Sequence, residues 1–187
     1  EEAAAAAAAA RSAQPAWEAL PFSEKKRIFR RLATLIGERS SELGRTISAC
    51  TGKTRIDALS TEVLQAAIAA RYYPKAARRF MRPRRQRHSS ILFFNKSTYL
   101  VRKPHGLVGI ISPWNYPFGI PFHEITQALA TGNAVLFKVA TQAQPVGEAL
   151  ASLVHDAGIP RNLLQRVHLP GREAGQGLLQ AGVDKLF

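Results

Sequence analysis

The hydrophobic pattern of this chain changes period near Pro104. Residues Leu107–Ile111 read Leu-Val-Gly-Ile-Ile, β-branched and without polar alternation, as expected of a strand covered on both faces of a parallel sheet. Pro113, Pro117 and Pro121 then end the strand and open a helix, because proline has no N–H to give and its fixed φ suits a first helical turn. That helix is expected to run to about Thr131, with Gly132 as its stop, and Ala134 to Val139 reads as the next buried strand. Gln144-Pro145-Val146 opens a further helix with Val146, Leu150, Leu153 and Val154 on its buried side, stopped by Gly158 and Pro160. Leu164 to Leu169 is a short third strand, Gly171 to Leu179 the following helix, and Val183 to Phe187 a fourth strand. Repeated strand-helix units imply an α/β fold, a parallel sheet with right-handed crossovers.

Before Pro104 the period is helical. Ser23 is placed to cap a helix in which Ile28, Phe29, Leu32, Leu35 and Ile36 recur, with Lys25, Lys26, Arg30 and Arg31 on the wet face. A second segment around Leu43 and Ile47 ends near Thr51-Gly52-Lys53. A third, from about Arg55 to Tyr73, puts Ile56, Leu59, Val63 and Ala67 on one stripe and is interrupted by Pro74. The opening run Ala3–Ala10 suits a helix and equally suits unassigned side chains written as alanine, so it carries no functional inference. It lacks the basic and branched apolar regions of a signal peptide, and none is expected. Within Ser90 to Arg102, two β-rich runs flanking Asn95-Lys96-Ser97 read as a hairpin, which must pack on something to be stable.

Composition narrows the class. The chain has 187 residues, 46% of them apolar, enough for one modest core and too many for wholesale disorder. No apolar run reaches the roughly 18 residues a membrane span needs. One cysteine permits no internal disulfide, which suits a reducing cytoplasm, and Cys50 itself reads as a packed small hydrophobe. The net charge of +13 raises the question of nucleic acid. Between Val63 and His123 there is no Asp or Glu and there are eleven Lys and Arg, densest at Arg78, Arg79, Arg82, Arg84, Arg85 and Arg87. No nucleic-acid-binding motif accompanies them, so an acidic surface elsewhere or a second subunit is the preferred partner.

Candidate chemistry gathers at the strand ends. The corner Ser112-Pro113-Trp114-Asn115-Tyr116-Pro117 lies past the carboxyl end of a strand, where open α/β sheets place ligands. Asn115 offers an amide donor that cannot ionise, suited to a developing oxyanion. Lys138 ends the next strand on the same edge, so the pair suggests an anionic or ribose-bearing ligand. No G-x-G-x-x-G follows the first strand; Gly171 and Gly175 follow the third, and spacing alone leaves them open between structure and ligand. Lys53 in its glycine turn lacks the rest of a P-loop. His105, His123, His155 and His168 lack metal-ligand spacing.

The stretches GIISPWNYP and GNAVLFK, then Gly171 and Gly175 followed by VDKLF, resemble the NAD(P)-dependent aldehyde dehydrogenase superfamily in order and spacing, and Thr51-Gly52-Lys53 resembles its TGKP segment. The resemblance implies a Rossmann-like sheet with flanking helices, an N-terminal helical segment and a β-hairpin oligomerisation arm. It divides the chain into a helical part of the cofactor domain at 1–88, the arm at 89–102 and the first βαβ repeats at 103–187. It implies oxidation of an aldehyde to an acid through a thiohemiacetal and thioester on a cysteine, with hydride passing to NAD or NADP and a glutamate-activated water releasing the product. Neither that cysteine nor that glutamate matches a residue of this chain, which is therefore expected to be the N-terminal portion of such an enzyme and inactive alone. A non-catalytic remnant, or a reductase of acyl-CoA or acyl phosphate, is the alternative. By the same resemblance Asn115 is catalytic, and Ile111, Ser112, Pro113, Trp114, Lys138, Thr141, Gly171 and Gly175 hold the cofactor. The family's first loop glycine is replaced by Leu169, and its ribose-binding glutamate is missing from Lys138-Val139-Ala140-Thr141. Loss of that carboxylate removes repulsion against a 2′-phosphate, so NADP is expected to be tolerated. A homo-oligomer, dimer or tetramer, is expected, with Phe93, Phe94, Tyr99 and Leu100 divided between a local core and a subunit surface.

Overall fold

A computed structural model describes residues 2–87 and 91–187. The boundary drawn after residue 88, and the Ser90 start of the hairpin, lie outside the described residues. Four strands, β3 (Leu107–Ile111), β4 (Ala134–Lys138), β5 (Leu164–Arg166) and β6 (Lys185–Leu186), form one parallel sheet in the order β5-β4-β3-β6. Helices α6 (Gly119–Ala130), α7 (Gln144–Asp156) and α8 (Ala174–Gln180) connect them in turn. The chain steps outward from β3 to β5 and returns to β6 on the other side of β3, so the strand order reverses at β3. Every carboxyl end lies on one edge, and open sheets of this kind form their ligand crevice there, at the reversal.

Sequence chemistry accounts for the strand boundaries. All of β4 is buried, as its unbroken apolar run requires, and Gly132 turns the chain out of α6 with φ +97°. Pro145 sits in the first turn of α7, where its missing N–H costs nothing.

The N-terminal part comprises α1 (Glu2–Ala19), which packs on the sheet, and α2 (Phe22–Glu38) and α3 (Ser40–Thr51), which pack on α7. The alanine run is helical: Ala3, Ala7 and Ala10 are buried, small enough for close approach, and Trp17 donates from Nε1 to Leu129 O at 2.8 Å. Arg11 bridges to Asp184 at 3.0 Å, and Asp184 also accepts from the Leu107 N–H at 2.7 Å, fixing the entry to β3. Ser23 lies inside α2 and does not cap it; Pro21 takes that place without a side-chain bond. Lys25 is buried rather than wet, because its ammonium donates to Glu18 O and lies near the faces of Trp17 and Phe22.

The third helical segment departs most from the expected pattern. It comprises α4 (Arg55–Ala58), a π turn (Leu59–Val63) and α5 (Leu64–Met81). The wide turn shifts the helical register, which leaves Ile56 77% exposed and turns Ala58, Glu62 and Ala66 inward. Pro74 does not interrupt α5: it is buried mid-helix, and packing of that face outweighs one missing hydrogen bond. The arm also differs. Its strands are β1 (Arg84–Gln86) and β2 (Thr98–Leu100), paired antiparallel with Arg85 opposite Tyr99. Ile91–Phe93 is a 3₁₀ turn instead of the expected first strand, so the inner strand is drawn from the arginine cluster. Phe93, Phe94, Tyr99 and Leu100 are all exposed, and none of them enters a core. Cys50 is half-buried and packs against the main core.

Candidate functional site

Three loops meet the carboxyl edge of the sheet, after β3, β4 and β5. The first carries Ser112 to Pro117. The Ile111 N–H donates to Phe187 O at 2.9 Å, and the buried Ser112 donates its N–H to Lys138 O at 2.8 Å, so the ladder continues past β3. The chain then leaves the sheet, and Pro113, Trp114, Asn115 and Tyr116 are exposed. The Asn115 Oδ1 accepts from the Tyr116 N–H at 3.1 Å, which uses the carbonyl end of the amide. Its Nδ2 donor has no partner among the described residues and remains available to a ligand.

The second loop begins at Lys138. This lysine is only 5% exposed, yet its ammonium has no hydrogen bond or ion pair among the described residues. Its stem is buried while the Nζ itself keeps contact with solvent, which leaves the cation open to a ligand at this edge. The third loop supplies its neighbour, since a Cβ added at Gly171 would stand 3.8 Å from the Lys138 Nζ. At Gly175 an added Cβ would meet nothing within 4 Å, and neither glycine has a positive φ. Neither turn geometry nor packing in this chain calls for glycine at these two positions. What they leave is open space for close approach of a ligand, and the residues fit a dinucleotide with an anionic or hydroxyl-rich part near Lys138. Thr141 is exposed at the start of a 3₁₀ turn on the same edge. Leu169, in the position of the family's first loop glycine, packs against Gly177.

The structure therefore brings Lys138 and Gly171 together and sets Ile111–Trp114 and Thr141 on the same edge. Asn115, on the corner after β3, is held by the Tyr116 N–H. Lys53, weak as a phosphate ligand in sequence, is engaged: its Nζ contacts Glu62 Oε1 at 2.7 Å and lies 3.5 Å from the centre of the Tyr116 ring. The other oxygen of Glu62 accepts the N–H groups of Phe118 and Gly119, both at 2.9 Å. Sequence reading missed Glu62, and the signal available was a lone carboxylate within an otherwise apolar helical stripe. Behind the corner, burial pushes the His123 imidazole down and the Glu124 carboxyl up, and Tyr73 Oη meets His123 Nδ1 at 3.2 Å. No group of three or more His, Cys, Asp or Glu able to hold a metal occurs among the described residues.

Comparison with known proteins gives concordant matches. The family model described as "Aldehyde dehydrogenase family" matches residues 1–186. A provisionally named NADP(+) succinate-semialdehyde dehydrogenase of Mycolicibacterium smegmatis is 35% identical over 180 residues, 96% of this chain and 34% of that protein. Among solved structures, the NAD-dependent benzaldehyde dehydrogenase of Corynebacterium glutamicum superposes with TM-score 0.84 at 30% identity, covering 95% of this chain and 38% of that one. PnpE in complex with nicotinamide adenine dinucleotide does so with TM-score 0.84 at 31% identity, covering 92% and 34%. The chain thus spans about a third of the length of the curated relatives it matches.

Proposed function

This chain belongs to the aldehyde dehydrogenase family, and from that premise we propose that it forms the cofactor-binding portion of an enzyme oxidising an aldehyde to a carboxylic acid with NAD or NADP. The observation that carries the reading is Lys138, its stem buried and its ammonium unpaired among the described residues and open to the carboxyl edge beside Gly171. In this reading Lys138 and Thr141 hold the adenosine ribose, Gly171 and Gly175 admit the adenine end, and Ile111, Ser112, Pro113 and Trp114 form the wall along the nicotinamide side. The cofactor, when bound, accepts the hydride. Asn115 Nδ2 donates to the carbonyl oxygen as it gains negative charge, and fixed donors of this kind typically contribute about 10²–10³ in rate. The nucleophilic cysteine and the base come from residues outside this chain, because Cys50 lies in α3, packed against the core.

The exposed aromatic residues of the β1–β2 arm serve to join subunits, and the helices of residues 1–88 and the sheet of residues 103–187 serve the cofactor. No helix among the described residues is long and apolar enough to cross a membrane. With one cysteine and no disulfide, we place the enzyme in the cytoplasm. The test is an absorbance assay of NAD(P)H formation by the intact protein over a panel of aldehydes. Aldehyde-dependent reduction of either cofactor is expected; its absence with every aldehyde, in protein shown to bind cofactor, would refute the proposal.

A further inference from the structure

We infer that Lys53, Glu62 and Tyr116 form a positioning device that aims the amide of Asn115; the inference rests on the oxyanion role proposed for Asn115 above. The corner that bears Asn115 is exposed from Pro113 to Tyr116, and the Asn115 side chain itself is held only by the Tyr116 N–H among the described residues. An amide also has two ends of similar shape, and only the nitrogen donates. Something must fix both the backbone and the sense of the amide.

Glu62 fixes the backbone. It is fully buried, and both of its oxygens are used: Oε2 takes the first two N–H groups at the start of α6, and Oε1 takes the Lys53 ammonium. It reaches this place because it lies in the π turn, whose extra residue rotates the carboxylate inward, and such turns are frequent at functional sites. Lys53 then holds the next link, with its ammonium over the face of Tyr116. The Tyr116 N–H binds the carbonyl end of Asn115 and turns the Nδ2 end outward. Three residues from three separate segments thus act on the corner that carries one donor. A displacement of about 1 Å at such a donor can cost roughly 10²-fold in rate.

The test uses the intact enzyme. Lys53→Met alone would strand a buried carboxylate, so the working variant is Lys53→Met/Glu62→Gln, which keeps charge neutrality and an acceptor for the α6 N–H groups. Tyr116→Leu is the second variant, since it removes the seat of the ammonium without touching a buried charge. Each is expected to lower kcat about tenfold while cofactor Kd stays within about twofold of wild type, and Lys53→Arg is expected to retain most activity. The decisive readout is non-additivity: in an Asn115→Ala background neither variant should lower kcat further. A further multiplicative loss on top of Asn115→Ala, or wild-type kcat in both variants, overturns the inference. Wild-type turnover by Asn115→Ala itself would instead remove the oxyanion role on which the inference rests.

Discussion

Replacing Lys138 by Met keeps the length and most of the volume of the side chain and removes its charge. In the structure the stem is buried, and the ammonium, with no partner among the described residues, reaches the edge 3.8 Å from where a methyl on Gly171 would stand. Binding that ends this isolation gains a charge-assisted hydrogen bond, worth about 1.5–3 kcal/mol. At about 1.4 kcal/mol per tenfold, the substitution should weaken cofactor binding roughly 10- to 150-fold. Lys138→Arg should not restore it, because the narrow approach beside Gly171 suits a compact ammonium better than a planar guanidinium. The assay is a titration of the intact enzyme with reduced cofactor, followed by cofactor fluorescence. A Kd within about twofold of wild type for Lys138→Met would show that this cation does not face the ligand, and the assignment of this edge as the cofactor site would fail.

Three further outcomes follow from the same geometry. Thr141→Glu adds a carboxylate where the proposed function puts the adenosine ribose and should weaken NADP at least about tenfold while sparing NAD, by the repulsion of like charges; equal effects on both cofactors would contradict the proposed placement of Thr141. Gly147→Ala puts a methyl 2.7 and 2.9 Å from the two Cγ atoms of Val139, next to Lys138, and should destabilise by about 1–3 kcal/mol, read as a lowered melting temperature. Two carboxyl groups give opposite pH dependence: the Arg11 hydrogen bond holds Asp184 below the usual carboxylate range, and burial pushes Glu124 up. Stability from Asp184 is present above its unfolded-state value of about 3.9 and lost as pH falls through the lower folded value, so Asp184→Asn should flatten the acid limb of a melting profile. Stability from Glu124 is present below its unfolded-state value of about 4.3 and lost as pH rises through the raised folded value, so Glu124→Gln should raise the melting temperature at neutral pH. An unchanged profile in either variant would contradict the corresponding assignment.

The sheet was legible because its signals are local. Unbroken apolar runs at Leu107–Ile111 and Ala134–Lys138, with proline and glycine at the corners between them, leave little choice but buried parallel strands. The N-terminal part was read less well because its errors arise from contacts distant in sequence. Lys25 reads as wet until Trp17 and Phe22 are seen beside it, and Pro74 reads as a break until its burial is seen. The π turn has no spacing signature, so Ile56 was placed on the buried stripe that Val63 does join, and Glu62 went unnoticed. At the arm, the apolar residues after Ser90 suggested a strand, whereas β2 pairs with Arg84–Gln86. Within the site, Asn115 and Lys138 could be named from strand ends alone, but the Glu62–Lys53–Tyr116 connection required coordinates, since its members lie as far as 63 positions apart between Lys53 and Tyr116.

The central claim is that this chain supplies a cofactor site and an oxyanion donor to an aldehyde-oxidising enzyme. Its most direct measurement compares wild-type and Asn115→Ala forms of the intact enzyme, with steady-state NAD(P)H formation and cofactor Kd measured on the same preparations. The account predicts a fall in kcat of about 10²–10³ with cofactor Kd unchanged. Equal turnover by the two forms would contradict it.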